Sequence, residues 1–402
     1  MLASAVAAKS GASVLMLERN SKPGRKLRIT GKGRCNLTSD CGVVEALENI
    51  PTGGRFLQSA LNAFTPSDAI GLFESLGVPL KTERGKRVFP QSDSASDIVD
   101  ALCRYVEKMG AKQKRGRATA ILTQERRVTG VSTDSVNHEC DAVILATGGL
   151  SYPATGSTGD GYGIAQSLGH RIMPLRGSLV PLEAEPEVCS RMQGLTLKNV
   201  RLSVYDGGKK PVYEDIGEIL FTHFGLSGPM VLSASAHMRD FECKSYHAAI
   251  DLKPGLDAKK LDSRLLRDFA KFANRDFGNA LGGLLNRLCI PVVIERSGIP
   301  ADMKVHSISR EDRLRLIGIL KEFRVDISGP RPVSEAVVTS GGVDLREINP
   351  KTMESKLIKG LFFAGEIIDA DAYTGGFNLQ IAWSTAVAAA RGAALKVMSD
   401  PK

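Results

Sequence analysis

The sequence predicts an α/β protein in which a doubly wound, nucleotide-binding type of domain is assembled from both ends of the chain and interrupted by an inserted β-rich and helical domain. Three observations lead there. Near the start, the apolar stretch Val14-Leu15-Met16-Leu17 ends in Glu18 and follows a helical pattern at residues 2–10. Further on, Ala142-Val143-Ile144-Leu145-Ala146 runs straight into Thr147-Gly148-Gly149. The end of the chain returns to the same style, with the strand Gly360-Leu361-Phe362-Phe363-Ala364, a Gly-rich loop and an Ala-rich helix at about 378–397. Short buried strands that alternate with helices and end in glycine or an acid belong to open parallel sheets, whose ligands sit at the carboxyl ends of the strands.

Each element has a local reason. Gly11 closes the first helix, and a buried strand occupies 13–18. A basic, Gly-rich segment follows at 22–38. Thr65-Pro66 supplies an N-cap and first-turn pair for a helix reaching about 76. At 96–109, Ile98, Leu102, Tyr105, Val106 and Met109 share one helical face, and Gly110 ends it. Strands are expected at 117–123 and 127–133. Thr158-Gly159-Asp160-Gly161 opens a helix over 160–168, with Ser157 or Thr158 as its N-cap. After Pro181 the pattern changes. Residues 200–205 and 211–222 alternate like antiparallel strands around the turn Asp206-Gly207-Gly208, and 257–289 and 309–322 read as helices. The expected domains are therefore 1–180 with 330–402, and an insert at 181–329 that is β-rich over 181–255 and helical over 256–325.

Composition excludes several classes. A chain of 402 residues can bury more than one core. No apolar run approaches the roughly 18–20 residues of a membrane span, so no membrane partner is expected. The Ala-rich start lacks a basic n-region and reads as a helix rather than an export signal. Seven scattered cysteines, an odd number without Cys-x-x-Cys spacing, suit a reducing, cytoplasmic setting and no metal site. The net charge of +9 is concentrated in Arg19, Lys22, Arg25, Lys26, Arg28, Lys32 and Arg34, with no acid among them. Interleaved glycines and the lack of stacking aromatics favour a small phosphate-bearing ligand there over nucleic acid.

Candidate site residues follow from chemistry. Glu18, closing its strand, can accept bonds from two ribose hydroxyls. Arg25, Lys26 and Arg34 lie on flexible backbone that can approach phosphates. Thr147, Gly148 and Gly149 leave the carboxyl end of a strand unobstructed. Gly375-Gly376 leads into a helix near Asn378, whose free N–H groups would meet negative charge. By residue type His223, in Thr222-His223-Phe224-Gly225, is the best general acid or base. Cys35 and Cys41 invite comparison with a redox dithiol, but their Cys-x5-Cys spacing in a loop-like context speaks against one. In this type of domain a first strand and a Gly-x-Gly-x-x-Gly turn precede the first helix. Neither is in the sequence, and about fifteen residues upstream would hold them.

Taken in order, the motifs Pro23-Gly24-Arg25-Lys26-Leu27-Arg28-Ile29-Thr30-Gly31-Lys32-Gly33-Arg34-Cys35-Asn36-Leu37-Thr38, Ala146-Thr147-Gly148-Gly149, Ser151-Tyr152-Pro153, Gly156-Ser157-Thr158-Gly159-Asp160-Gly161, Leu220-Phe221-Thr222-His223-Phe224-Gly225-Leu226-Ser227-Gly228-Pro229, Thr339-Ser340-Gly341-Gly342-Val343, Phe363-Ala364-Gly365-Glu366 and Tyr373-Thr374-Gly375-Gly376-Phe377-Asn378-Leu379-Gln380 resemble the BaiN/YhiN-like flavoproteins. These are also catalogued as aminoacetone-oxidase-family or NAD(P)/FAD-dependent oxidoreductases. The resemblance implies a glutathione-reductase-like FAD domain. It also implies FAD as cofactor, NAD(P)H as a transient co-substrate and a small organic substrate, by reduction of an unsaturated ring or by amine oxidation. It places an adenine contact at Ala118 and a cofactor contact at Thr158, Gly159 and Asp160. Gly365 and Glu366 fall at the ribityl chain, and Gly376, Phe377, Asn378 and Leu379 at the flavin. The insert is expected to cover the flavin ring. A truncated or degenerate, flavin-free binding protein is the alternative reading.

Overall fold

The computed structural model describes residues 1–399, so the last three residues of the expected 330–402 segment lie outside the described residues. The chain divides into two compact units, Met1–Ser178 with Val333–Lys402, and Leu179–Pro332.

Unit 1 contains two parallel strand pairs. β1 (Leu15–Glu18) pairs with β2 (Lys112–Arg115), with Leu15 opposite Lys112 and Glu18 opposite Arg115. β3 (Val143–Leu145) pairs with β4 (Leu361–Phe363), which comes from the other end of the chain. Four helices matter for the site: α1 (Leu2–Lys9), α2 (Ala95–Lys108), α3 (Asp160–Ser167) and α4 (Phe377–Ser399). In α2, Ile98, Leu102, Tyr105 and Val106 face the core, as their spacing requires. α4 is apolar nearly all round and is buried along most of its length. Its alanines, with those of α1, are small enough for the two helices to pack closely. Thr65 forms the capping box with Asp68 that starts the helix Pro66–Ser75.

The basic segment differs from the loop expected there. It contains a short helix, Arg25–Ile29, and a 3-10 turn, Thr30–Gly33, then meets a small antiparallel sheet at Thr38–Ser39. The turn works because Gly31 and Gly33 take left-handed backbone, and a Cβ on Gly31 would sit 2.9 Å from the Asn36 nitrogen. The N-cap of α3 also differs. Gly159, at φ +81°, occupies that position and no side chain caps the helix, while the Thr158 hydroxyl donates to Asp160 at 3.0 Å.

Unit 2 is built on a closed barrel of six strands in the order Leu182–Ala184, Gly225–Ser227, Tyr213–Phe221, Thr196–Tyr205, Tyr246–Asp251 and Phe323–Pro330. The hairpin Thr196–Tyr205 with Tyr213–Phe221 turns at the expected Asp206-Gly207-Gly208. The sequence expectations include no strand at Phe323–Pro330, although Phe323, Val325 and Ile327 are buried in strict alternation with exposed neighbours. The predicted helical stretch at 257–289 is broken into Ala258–Lys271 and a short turn at Phe277–Ala280.

Candidate functional site

The carboxyl ends of β1, β2, β3 and β4 bring most of the predicted site residues into one connected arc. At the β1 end, Glu18 Oε1 accepts from the Asn20 backbone N–H at 2.8 Å and from Asn20 Nδ2 at 2.9 Å. Its other oxygen takes no hydrogen bond from the described residues and remains an acceptor. The Gly116 N–H donates to the Glu18 carbonyl at 3.0 Å, which sets residues 116–118, and so Ala118, beside the same strand end. Asp160 at the start of α3 ties both together. Arg19 donates to its carboxylate at 3.0 Å and Arg117 at 2.7 and 3.1 Å. The Arg117 hydrogen bond, with Arg19 adding its charge, holds the Asp160 carboxyl below the usual range.

The arc continues along β3. Thr147, Gly148 and Gly149 pass between α3 and the Thr339–Glu366 region without room to spare. A Cβ on Gly161 would collide with Thr147 Oγ1. One on Gly149 would collide with Thr339 Oγ1 and come within 2.9 Å of Glu366 Oε1. Thr339 Oγ1 in turn accepts from the N–H groups of Leu150 and Ser151 at 2.8 and 3.2 Å.

Glu366, just past β4, lies at the centre of a compact polar knot. Lys26 Nζ donates to Glu366 Oε2 at 2.5 Å and to Ser151 Oγ at 2.6 Å. Glu366 Oε1 accepts from Ser151 Oγ at 3.0 Å and from the Thr339 N–H at 2.8 Å. A carboxylate has about four acceptor positions, so three are taken and one is left for a ligand hydroxyl. Gly365 has φ +75°, and a Cβ there would meet nothing nearer than Ala382 at 3.9 Å, so the backbone is bare on that side.

The start of α4 is fixed from two directions. Gly376 has φ +100° and presses on Thr38 so closely that a Cβ would lie 2.5 Å from the Thr38 carbonyl carbon and oxygen. Thr38 Oγ1 donates to Gln380 at 2.7 Å, and Trp383 Nε1 to the Leu37 carbonyl at 3.0 Å. Asn378 spends its side chain on the preceding loop, accepting from the Ala372 N–H at 2.9 Å and donating to the Ala372 and Tyr373 carbonyls at 2.7 and 3.3 Å. What Phe377, Asn378 and Leu379 present at this end is therefore backbone N–H, with the positive end of a long helix behind it.

A dinucleotide such as FAD fits this set. Glu18 has a free acceptor oxygen, Glu366 one spare position, and Gly365 an uncovered backbone. Asn36 Oδ1, two residues before Thr38, is buried without a hydrogen-bond partner. Such an orphaned acceptor suits a ligand N–H, which a flavin imide carries.

Other predicted residues are placed apart from the knot. Arg34 is held by Glu83 and Asp93, both at 2.5 Å, and stacks 4.2 Å over the Phe89 ring. Arg25 is exposed and donates weakly to Asn20 at 3.3 Å. His223 belongs to unit 2, where it is exposed at the turn between two barrel strands with its ring edge-on to Phe224. Cys35 and Cys41 are both free thiols, and burial pushes Cys35 up to about 12, far from a reactive thiolate. Sequence reasoning passed over Arg19, Arg117, Ser151 and Thr339. Ser151 and Thr339 lie inside recognised motifs, but no spacing rule links positions so far apart to Glu366.

The family model described as the HI0933-like protein Rossmann domain matches residues 1–392. The chain is 34% identical over 393 residues to the ribosomal RNA dihydrouridine synthase of Escherichia coli (strain K12), covering 97% of this chain and 94% of that protein. It is 29% identical over 398 residues to the 3-dehydro-bile acid delta(4,6)-reductase of Clostridium scindens, covering 98% and 96%. Among solved structures, the 3-ketosteroid-delta4-(5alpha)-dehydrogenase from Rhodococcus jostii RHA1 aligns with a TM-score of 0.50 at 15% identity, covering 97% of this chain and 94% of that one, a likeness of fold alone. Matched from its first helix to within α4, the chain belongs to the HI0933-like Rossmann family, the BaiN/YhiN type of FAD-dependent oxidoreductase.

Proposed function

We propose that this protein reduces a ring carbon–carbon double bond conjugated to a carbonyl, with NAD(P)H as the transient donor. The observation that carries this reading is the chemistry common to two relatives of unlike substrate. Making dihydrouridine saturates the ring double bond of uracil, and a delta(4,6)-reductase acts on ring double bonds of a 3-oxo steroid. Both reactions add hydride to one carbon of an activated double bond and a proton to the other.

Bound FAD would carry the hydride between donor and substrate. The chain's own residues position it. Glu18 takes the adenosine ribose and Ala118 flanks the adenine. Arg25 faces the phosphates, with Arg34 close to them in sequence but held by its own acids. Thr147 to Gly149 and Thr158 to Asp160 give the cofactor a close-packed floor. Glu366, oriented by Lys26, Ser151 and Thr339, holds a ribityl hydroxyl. The N–H groups of Gly376, Phe377, Asn378 and Leu379 stabilise negative charge on the flavin's pyrimidine edge. His223 is the residue whose type suits proton donation near neutral pH.

The test is an anaerobic two-step assay on the flavin-loaded protein. NADH and NADPH are first compared for bleaching of the flavin absorbance. Unmodified ribosomal RNA and a 3-oxo-4,6-diene steroid are then offered to the reduced flavin, and aminoacetone to a separate sample with oxidised flavin, with products followed by mass. The reading predicts reoxidation by RNA or steroid with a gain of two hydrogens. Bleaching by aminoacetone, with neither conjugated substrate reduced, replaces it by amine oxidation. A protein that takes up no flavin supports the binding-protein alternative. In the same assay His223→Gln should keep the first step and slow the second by about 10²–10⁴.

A further inference from the structure

We propose that Lys253 in unit 2 is a nucleophilic amine that holds a small 2-oxo acid as a reversible imine. A cavity of about 300 Å³ opens at this residue, with Lys198, Cys289 and the apolar side chains of Val200, Leu252 and Leu285 in its wall. That volume is at the small end of the ~300–1,000 Å³ of small-molecule sites and suits a compact metabolite. No acid lines it among the described residues.

The barrel itself makes the opening. The strand Thr196–Tyr205 pairs with Tyr246–Asp251 only as far as Arg201 opposite Asp251, and Asn199 and Lys253 lie just beyond the end of that ladder. On its other side the same strand bulges. Between Leu197 and Val200, which face Ile219 and Gly217, the residues Lys198 and Asn199 stand against the single Glu218, and Asn199 takes left-handed backbone at φ +54°. Bulges end pairing and re-aim side chains, and they gather beside functional sites. No ion pair joins Glu218 to Lys198 or Lys253 among the described residues.

Lys253 stands apart from the other lysines. Its backbone is clamped on both sides. Asp251 accepts its N–H at 2.9 Å, and Lys321 Nζ, itself paired with Asp251 at 2.5 Å, donates to its carbonyl at 3.2 Å. The neighbouring acid is thereby spent, and the half-buried Lys253 amine has no hydrogen-bond or carboxylate partner among the described residues. The other lysines that are not exposed, Lys26, Lys81, Lys321 and Lys396, are all engaged. Burial first, and the Arg264 charge second, lower the Lys253 ammonium below the ordinary lysine value. Desolvation and a nearby cation are what activate a lysine toward carbonyl carbon. The Cys289 thiol, which burial pushes up to about 11, stays protonated and leaves the amine as the nucleophile. Lys198, exposed and likewise unpaired, supplies charge for the ligand's carboxylate.

A lysine that lays its stem over apolar neighbours and keeps its amine in water is the ordinary reading. It accounts for the burial, but not for the fixed backbone, the bulge at the rim and a second unpaired cation in the same wall. In the proposed step the Lys253 nitrogen pair forms a C–N bond to the carbonyl carbon. The C=O π pair moves to oxygen, which takes one amine proton. The resulting carbinolamine loses its hydroxyl with the second amine proton as water, leaving C=N. Nothing is oxidised or reduced.

The experiment treats the flavin-loaded full-length protein with pyruvate and cyanoborohydride at neutral pH, and maps carboxyethyl-lysine by peptide mass. Cyanoborohydride supplies the hydride that fixes any imine as a stable amine. Labelling of Lys253 should outpace that of the exposed Lys209 and Lys351 by at least about tenfold, because exposed amines are protonated at that pH. Acetone, which lacks the carboxylate, should show much less of this preference. Lys198→Gln should raise the pyruvate concentration for half-labelling about two- to fivefold, the size of one exposed charge pair. Lys253→Arg keeps the charge without a neutral amine, and should cut total labelling to the background of exposed lysines at an unchanged melting temperature. Labelling of Lys253 no faster than that of Lys209 and Lys351 overturns the proposal, as does acetone matching pyruvate in its preference for Lys253. Both comparisons are made within the wild-type chain, so the folding of a variant does not enter.

Discussion

Lys26 and Glu366 illustrate how a single pair can organise a site drawn from distant parts of the chain. Their ion pair is half-buried, and Ser151 and Thr339 complete the carboxylate's partners. Removing the cation leaves a partly buried carboxylate short of its strongest donor. Lys26→Met is therefore expected to lower stability by about 1.5–3 kcal/mol, measured by urea unfolding, because hydrogen bonds to charged groups fall in that range. A change under half a kilocalorie, about the size of a solvent-exposed pair, would mean that water replaces Lys26 freely. Asp160 gives a pH signature. Arg117 and Arg19 depress its carboxyl in the folded protein, so its contribution is complete above the unfolded value of about 3.9 and disappears as pH falls through the lower folded value. Asp160→Asn should thus cost stability at neutral pH and make the acid limb shallower, read from melting temperatures between neutral pH and strong acid. Glu18 and Asp160 were legible in the sequence because each sits at a strand end or a helix start, and Lys26 because it lies in the basic, Gly-rich run. Their partners Arg117 and Thr339 were not, because pairing across the sheet depends on tertiary placement. Arg34 was legible as a basic residue, but not its capture by Glu83, in a small sheet that the sequence reading left unassigned, and by Asp93, just past that sheet.

At the scale of elements, the junction between the Thr38 segment and the start of α4 decides where helix N–H groups point. Gly376 is required there for two separate reasons, a left-handed backbone and the lack of room beside the Thr38 carbonyl. Gly376→Ala is expected to destabilise the protein by about 3 kcal/mol or more, combining left-handed strain with displacement of backbone that cannot give. FAD affinity should fall more steeply than stability, since the helix start would be displaced from Thr38, which its own Gln380 holds. Titration of the refolded variant at low temperature checks this. Wild-type affinity in a fully folded variant would separate the α4 start from cofactor binding. The sequence located the start of this helix to within a residue from its Gly-Gly entry and alanine content. It could not report that Asn378 turns its amide back onto Ala372 and Tyr373, leaving only backbone to face a ligand. Nor did the basic Gly-rich segment disclose its short helix, since four residues of 3-10 turn hinge on φ values that only the packed structure fixes.

At the scale of the whole molecule, the termini share one core. α1 packs on α4, and β3 takes as its partner β4, more than two hundred residues later. Between them the chain leaves for a barrel that closes on itself and has its own core, with Phe221, Phe277 and Phe323 fully buried. The α/β style of both ends was readable from strand and glycine patterns. The barrel was only half readable: its hairpin announced itself through Asp206-Gly207-Gly208, whereas Phe323–Pro330 was obscured by the charged helix that precedes it. The central claim of the proposed function is that FAD lies along the arc from Glu18 through Gly149 and Glu366 to the start of α4. The most direct measurement is a crystal structure of the full-length protein loaded with FAD. The expected result is a ribose on the free oxygen of Glu18, a ribityl hydroxyl on Glu366, and the flavin's pyrimidine edge against the N–H groups of Phe377 to Leu379. FAD bound elsewhere, or density showing its ring remote from α4 with Asn36 Oδ1 still unpartnered, would contradict it.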